Sequence, residues 1–299
     1  MQLAQAITMA PEGSPLVTIH LGSNRVADWG ASSLGEALGK APNLKALSLG
    51  GNKIEEWGLE GISKGLTENA SITLLDLNSN RINPSSMEKL APAIEAHPML
   101  QVLKLGGNRV GDKGMALLAP VLGGLSSFST LSMQENRLEV GTARLLTEAF
   151  VSSKTLVELS IPSNYLEDQG ASALAGLLES NRSITHCDLG RCGFTSAGVE
   201  ILSRAVKGNH VLTNLCLQGN QAGDEGATAF AEHALAPGET SLVVLHLGDN
   251  KIGVKGGEAL AAAFPGNNTV TSMDVDGNKI SAASTESIFQ AMATNKFGF

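Results

Sequence analysis

Apolar residues recur along this chain in one phrase, L-x-x-L-x-L-x-x-N-x-[apolar], each time followed by a stretch of helical spacing. The phrase starts at Leu16, Leu44, Ile72, Leu100, Phe128, Leu156, Ile184, Leu212, Leu242 and Val270. The step is 28 residues, broken once by two extra residues near Pro237 and Gly238. A fixed period of this length predicts a solenoid of stacked units. With each unit numbered from its first apolar residue, positions 4 and 6 are apolar around a variable position 5, which predicts a short strand with one buried face. Positions 19 and 23 are apolar in turn, as in Leu34 with Leu38, Leu90 with Ile94 and Leu174 with Leu178, and that spacing marks one face of a helix. Ala, Gly and Ser fill much of the remainder and let neighbouring helices approach. Strands on one side and bulkier helices on the other predict an α/β horseshoe, with a parallel sheet on the concave face and helices on the convex face. Residues 16–299 carry the ten units as one extended domain. Residues 1–15, with Leu3 and Ile7 at helical spacing, are expected to form an N-terminal helical cap or the remnant of a preceding unit.

Position 9 is Asn in nine units: Asn24, Asn52, Asn80, Asn108, Asn136, Asn164, Asn220, Asn250 and Asn278. An amide both donates and accepts, so a buried column of them can satisfy backbone groups where the chain leaves each strand. Cys192 takes the same slot in the seventh unit as a weaker donor.

Composition narrows the function. The net charge of −8 offers no long-range attraction to phosphate backbones or anionic membranes, so nucleic acid is not an expected partner. No apolar run reaches the length of a membrane span, and the first fifteen residues lack the basic start of a signal peptide. Cys187, Cys192 and Cys216 form no paired framework, which favours a reducing, cytoplasmic setting. Asn69-Ala-Ser71, Asn181-Arg-Ser183 and Asn267-Asn-Thr269 match the glycosylation triplet, and the first two share one repeat position, as a loop consensus would.

The period, the phrase and the full helix per unit resemble the ribonuclease-inhibitor-type leucine-rich repeats, over residues 16–299. Similar units form the repeat domains of nucleotide-binding leucine-rich-repeat receptors and of Ran-type GTPase activators. The resemblance implies protein binding through the concave sheet and its edge loops, without cofactor, metal or catalytic residue. This chain departs from ribonuclease inhibitor in having few cysteines, and it holds no G-x-x-x-x-G-K-[ST] phosphate loop.

Binding specificity is expected at the variable positions. Position 5 runs His20, Ser48, Asp76, Lys104, Ser132, Ser160, Asp188, Cys216, His246 and Asp274. In it Asp188, Cys216, His246 and Asp274 stand in consecutive units, with His186 and Asp276 close by. That grouping suits a polar contact surface, or alternatively an activated thiol or a zinc site. Position 10 is a basic column of Arg25, Lys53, Arg81, Arg109, Arg137, Lys251 and Lys279, which an acidic partner would complement unless Asp28, Glu55, Asp112 or Glu139 neutralises it. Asp249, Asp274 and Asp276 give the other end an acidic rim. Trp29 and Trp57 share position 14 of adjacent units, as a partner anchor or as cover for the first core layer. The expected function is therefore a monomeric, non-enzymatic scaffold that recognises a protein through Trp29, Trp57, Arg81, Lys104, Arg109, Arg137, Asp188, His246, Asp249, Asp274 and Asp276. The alternatives are a GTPase activator docking at Arg81 and Arg109, and a Cys/His enzyme or metal site.

Overall fold

A computed structural model describes residues 2–9 and 15–297, arranged as two compact units, 1–138 and 139–299. In the first unit the elements are α1 (Gln2–Thr8), β1 (Thr18–His20), α2 (Ala27–Leu38), β2 (Ala46–Ser48), α3 (Glu56–Glu68), β3 (Leu74–Asp76), α4 (Pro84–Glu95), β4 (Val102–Lys104), α5 (Gly111–Gly124) and β5 (Thr130–Ser132). In the second they are α6 (Val140–Phe150), β6 (Glu158–Ser160), α7 (Glu167–Ser180), β7 (His186–Asp188), α8 (Ser196–Val206), β8 (Asn214–Cys216), α9 (Gly223–His233), β9 (Val244–His246), α10 (Val254–Ala263), β10 (Ser272–Asp274) and α11 (Ala282–Phe297). Each unit is an α/β solenoid with a parallel sheet on one face and helices on the other. Strands pair in sequence order and in register, so that Leu47 faces Ile19 and Leu75, and Leu215 faces Cys187 and Leu245. The three-residue strands bury only position 4, and position 6 is buried just beyond their ends, as Leu49, Leu77, Leu189 and Leu217 show. In α1, Ala4 and Ile7 are buried, while Leu3 is 41% exposed despite its helical spacing from Ile7. Residues 10–14 of the expected cap segment lie outside the described residues.

The amides of position 9 tie consecutive repeats together. Asn80 donates through Nδ2 to the carbonyls of Leu49, Leu77 and Asn78, at 3.0, 3.0 and 3.2 Å. Its Oδ1 accepts from the amides of Asn52 and Ile54 in the preceding repeat, at 3.0 and 2.9 Å. Asn52, Asn108 and Asn220 repeat this pattern of backbone bonds. Cys192 keeps only the weak donor half, with Sγ 3.5 Å from the carbonyls of Ile161 and Gly190. Position 8, just before the Asn or Cys of position 9, has a left-handed φ between 53° and 72° in all ten repeats. Glycine meets this turn without strain in four of them, and Ser23, Ser79, Glu135, Ser163, Arg191 and Asp249 adopt it at a cost of roughly 1 kcal/mol each.

A second amide column lies where the helices end, at position 26. Asn69 Nδ2 donates to the carbonyls of Leu38 and Ala41 while its Oδ1 accepts from the amides of Ser71 and Ile72. Asn181, Asn209 and Asn267 do the same work in the second unit. The glycosylation triplets are therefore structural: Asn69, Asn181 and Asn267 are no more than 4% exposed. In the third repeat this slot holds His97, which is 2% exposed with neither ring nitrogen in hydrogen-bonding geometry to any partner among the described residues. Burial, outweighing the smaller opposing pull of its own backbone and that of Asn69, holds its pKa below 6.5. The unfolded chain thus takes up a proton near pH 6.5 that the folded chain refuses, and stability falls as pH drops below that value. The loss of urea midpoint between pH 7.5 and 5.5 is expected to shrink in His97→Asn, whose amide can bond as Asn69 does. An equal loss in both proteins would show that His97 does not set the acid response.

A third device links helix starts to the repeat before. Asp28 Oδ1 accepts the Glu55 amide at 2.7 Å at the head of α3. Asp168 Oδ1 accepts the amides of Thr195 and Gly198 at the head of α8, and Asp224 Oδ1 those of Gly253 and Gly256 at the head of α10. Each carboxylate caps orphan N–H groups and complements the positive helix end, but of the neighbouring helix and not of its own.

Candidate functional site

The sheet face of the second unit gathers the polar row expected from the sequence. Register places Ser160, Asp188, Cys216, His246 and Asp274 side by side on β6 to β10, with Glu158, His186, Asn214, Val244 and Ser272 in the parallel row two residues earlier. Leu159, Cys187, Leu215, Leu245 and Met273 point inward between these rows and are buried. The strand pleat therefore leaves both rows facing away from the core. Between β6 and β9 lies a cavity of about 170 Å³, lined by Leu159, Leu215 and Val244 together with Glu158, His186, Asp188, Cys216 and His246. Asp188 and Asp274 are fixed alike: Oδ1 of each accepts the amide two residues on, Gly190 at 3.0 Å and Asp276 at 2.9 Å. His186 Nδ1 lies 2.8 Å from Thr185 Oγ1.

The chemistry of this row is not that of an activated thiol. Burial first and the Asp188 carboxylate second push the Cys216 thiol up to about 12, so it stays protonated at neutral pH. Nucleophilic cysteines need the reverse, a neighbouring cation that lowers the pKa. Cys187 is buried and pushed up as well, and burial carries Cys192 to about 12. Among the described residues no three His, Cys, Asp or Glu side chains converge as a metal site.

In the first unit the structure separates residues that the repeat numbering had grouped. Arg81 is engaged by Glu55 at 2.8 Å, with both side chains about half exposed, so this pair contributes little to stability. Asp28, which the sequence offered as a neutraliser of the basic column, is instead the cap of α3. Arg109 and Arg137 are exposed, and Lys104 is half-buried in register between Asp76 and Ser132. Trp29 and Trp57 pack edge to face, with ring centroids 4.8 Å apart and planes at 82°. They are 73% and 45% exposed, so they do not cover the first core layer. In the second unit Lys251 Nζ lies 2.8 Å from Gln221 Oε1, and Lys279, Asp249 and Asp276 are exposed.

One group escaped the sequence reading. Tyr165 occupies position 10 of the sixth repeat, is 65% exposed, and borders an open groove of about 690 Å³ together with Glu167, Gln169, Arg191, Thr195 and Gln221. Its signal was the break in the basic column at the chain's single tyrosine.

The profile described as Leucine Rich repeat matches residues 68–91, 96–119, 152–175, 208–231 and 239–261. "NACHT, LRR and PYD domains-containing protein 5" of Homo sapiens is 33% identical over 89 residues, which are 30% of this chain and 7% of that protein. "NACHT, LRR and PYD domains-containing protein 14" of Mus musculus is 34% identical over 92 residues, 31% of this chain and 9% of that protein. The chain thus matches only a small part of these relatives. A chain of an octameric complex of Latrophilin 3, Unc5D and FLRT2, the last marked LRR, shares the fold with TM-score 0.55 and 15% identity, over 91% of this chain and 77% of that one.

Proposed function

Because the chain is a leucine-rich-repeat protein, with repeats similar to those of NACHT, LRR and PYD domains-containing proteins, we propose that its task is non-enzymatic recognition of a protein partner. The reading places recognition on the sheet face and its rim. The observation that carries it is the division of labour within each repeat. The recurring phrase positions are consumed by the core and by the amide columns, whereas Asp188, Cys216, His246 and Asp274 stand in register without a role in the core. Rigid display of such a row supplies specificity through fixed charge positions. Trp29 with Trp57, Lys104, Arg109 and Arg137 in the first unit, and Asp249 and Asp276 in the second, are proposed as further contacts. The three free cysteines, two of them buried, support a reducing, cytoplasmic setting. Among the described residues no helix is long and apolar enough to cross a membrane.

Affinity capture tests this with three baits of equal thermal stability: the natural chain, His246→Ala/Asp274→Asn on the sheet face, and Glu148→Gln/Glu232→Gln on the helix face. Partners are expected to be lost from the second bait and kept by the third. Retention on the second together with loss from the third would move recognition to the helices and overturn the reading.

A further inference from the structure

We infer that the cavity on the sheet face of the second unit receives a basic side chain, Lys or Arg, from a polypeptide partner; this rests on the recognition reading above and specifies its chemistry. Three observations converge. The first is shape: about 170 Å³ has room for one side chain, and the outward-facing Val244 gives the lining one aliphatic wall along which the methylene stem of a Lys or Arg can lie. The second is the edge. Glu158 and Asp188 flank the cavity, and Asp188 is held in place by the Gly190 amide, so a carboxylate waits beside the mouth without the entropy cost of being ordered on binding. Cys216, beside Asp188 on the next strand, is a neutral thiol at physiological pH and adds no competing charge.

The third is the field around the cavity. Of the net charge of −8, the second unit holds −7 by sequence, with 17 Asp and Glu against 10 Lys and Arg, and the first unit only −1, with 12 against 11. On the sheet face and rim of the second unit, Glu158, Asp188, Asp249, Asp274 and Asp276 outnumber the cations Arg191, Lys251 and Lys279, and the strand rows beside the cavity carry carboxylates but no Lys or Arg. An acidic partner would be repelled from this face, and a neutral one would leave two carboxylates beside the cavity desolvated without compensation. A basic segment satisfies both the field and the cavity.

The probe is a fluorescein-labelled (Lys-Ser)5 peptide, with (Gln-Ser)5 and (Glu-Ser)5 as controls, read by anisotropy and by amide chemical shifts of the full chain. The lysine peptide is expected to bind, with shifts centred on Asp188, Cys216 and His246, and both controls to bind at least tenfold more weakly. Glu158→Gln/Asp188→Asn should weaken the lysine peptide about tenfold or more while melting as the natural chain does, because the Asn side chain still accepts the Gly190 amide. Glu148→Gln/Glu232→Gln, which removes the same charge from the helix face, should change it less than twofold. Absence of binding, shifts elsewhere, or equal loss in the two double variants would overturn the inference. The recognition reading fails separately: if captured partners depend on His246 and Asp274 but contact the face through a segment without Lys or Arg, recognition stands and the basic anchor falls.

Discussion

Gly61→Val is expected to unfold the first unit, or to cost it more than about 4 kcal/mol if it still folds. Helices α2 and α3 pass each other backbone to backbone, through Gly35 on one and Gly61 and Gly65 on the other. A β-carbon on Gly61 would lie 2.8 Å from Ser32 Cβ and 2.7 Å from Ser32 Oγ, and one on Gly65 would lie 2.8 Å from the Gly35 carbonyl carbon. These obstacles lie in the main chain of α2 or directly on it, so no rotamer change relieves the clash. The helices must separate, and their parting opens the layer that buries Leu34, Leu38, Leu59 and Ile62. The measurement is urea denaturation followed by far-UV circular dichroism. The near-UV spectrum gives a second readout, because the Trp29–Trp57 edge-to-face contact spans the same two helices and its signal should collapse with them. A Gly61→Val midpoint within about 1 kcal/mol of the natural chain would mean that the helices are not in backbone contact in solution.

Asn80→Ala is the second large effect, expected at about 3 kcal/mol. The side chain is 8% exposed and serves five backbone groups, three carbonyls and two amides, drawn from two repeats. Alanine strands them where water enters poorly, and each buried unsatisfied group carries its own desolvation penalty. Asn24 supplies the comparison, since it holds the same position in the first repeat but lies at the edge. Its Nδ2 donates only to the exposed Gly22 carbonyl. Asn24→Ala should therefore cost under about 1 kcal/mol. Equal losses at the two sites, measured by the same denaturation, would show that the column acts through local turn propensity and not through bonds between repeats.

The two variants probe features of different legibility. The column of Asn80 was readable without coordinates, because a strict period makes position 9 of every repeat a spatial neighbour of position 9 in the next. The same rule delivered the strands, the aliphatic core, the place of the helices, and the rows that carry Asp188 and His246. Any property that depends only on which residues are stacked follows from counting by 28.

What counting could not supply is what a side chain does once stacked. Asp28 looks like a neutraliser of the basic column, but it, like Asp168 and Asp224, turns toward the neighbouring helix and accepts its orphan N–H groups. Asn69 and Asn181 read as a loop consensus and are buried, and His97 shares their column, where only the fold reveals that the slot is closed to solvent. Cys216 beside His246 suggested activation, yet the low polarizability of its surroundings and the adjacent Asp188 drive its thiol the other way. Trp29 and Trp57 were placed side by side by their spacing, and only the packing of α2 on α3 left them turned to solvent. The sequence by itself determined neighbourhood, since periodicity is a property of the chain. Burial, charge state and choice of bonding partner were decided by the tertiary structure, because they depend on solvent exclusion and on atoms contributed by repeats far along the chain.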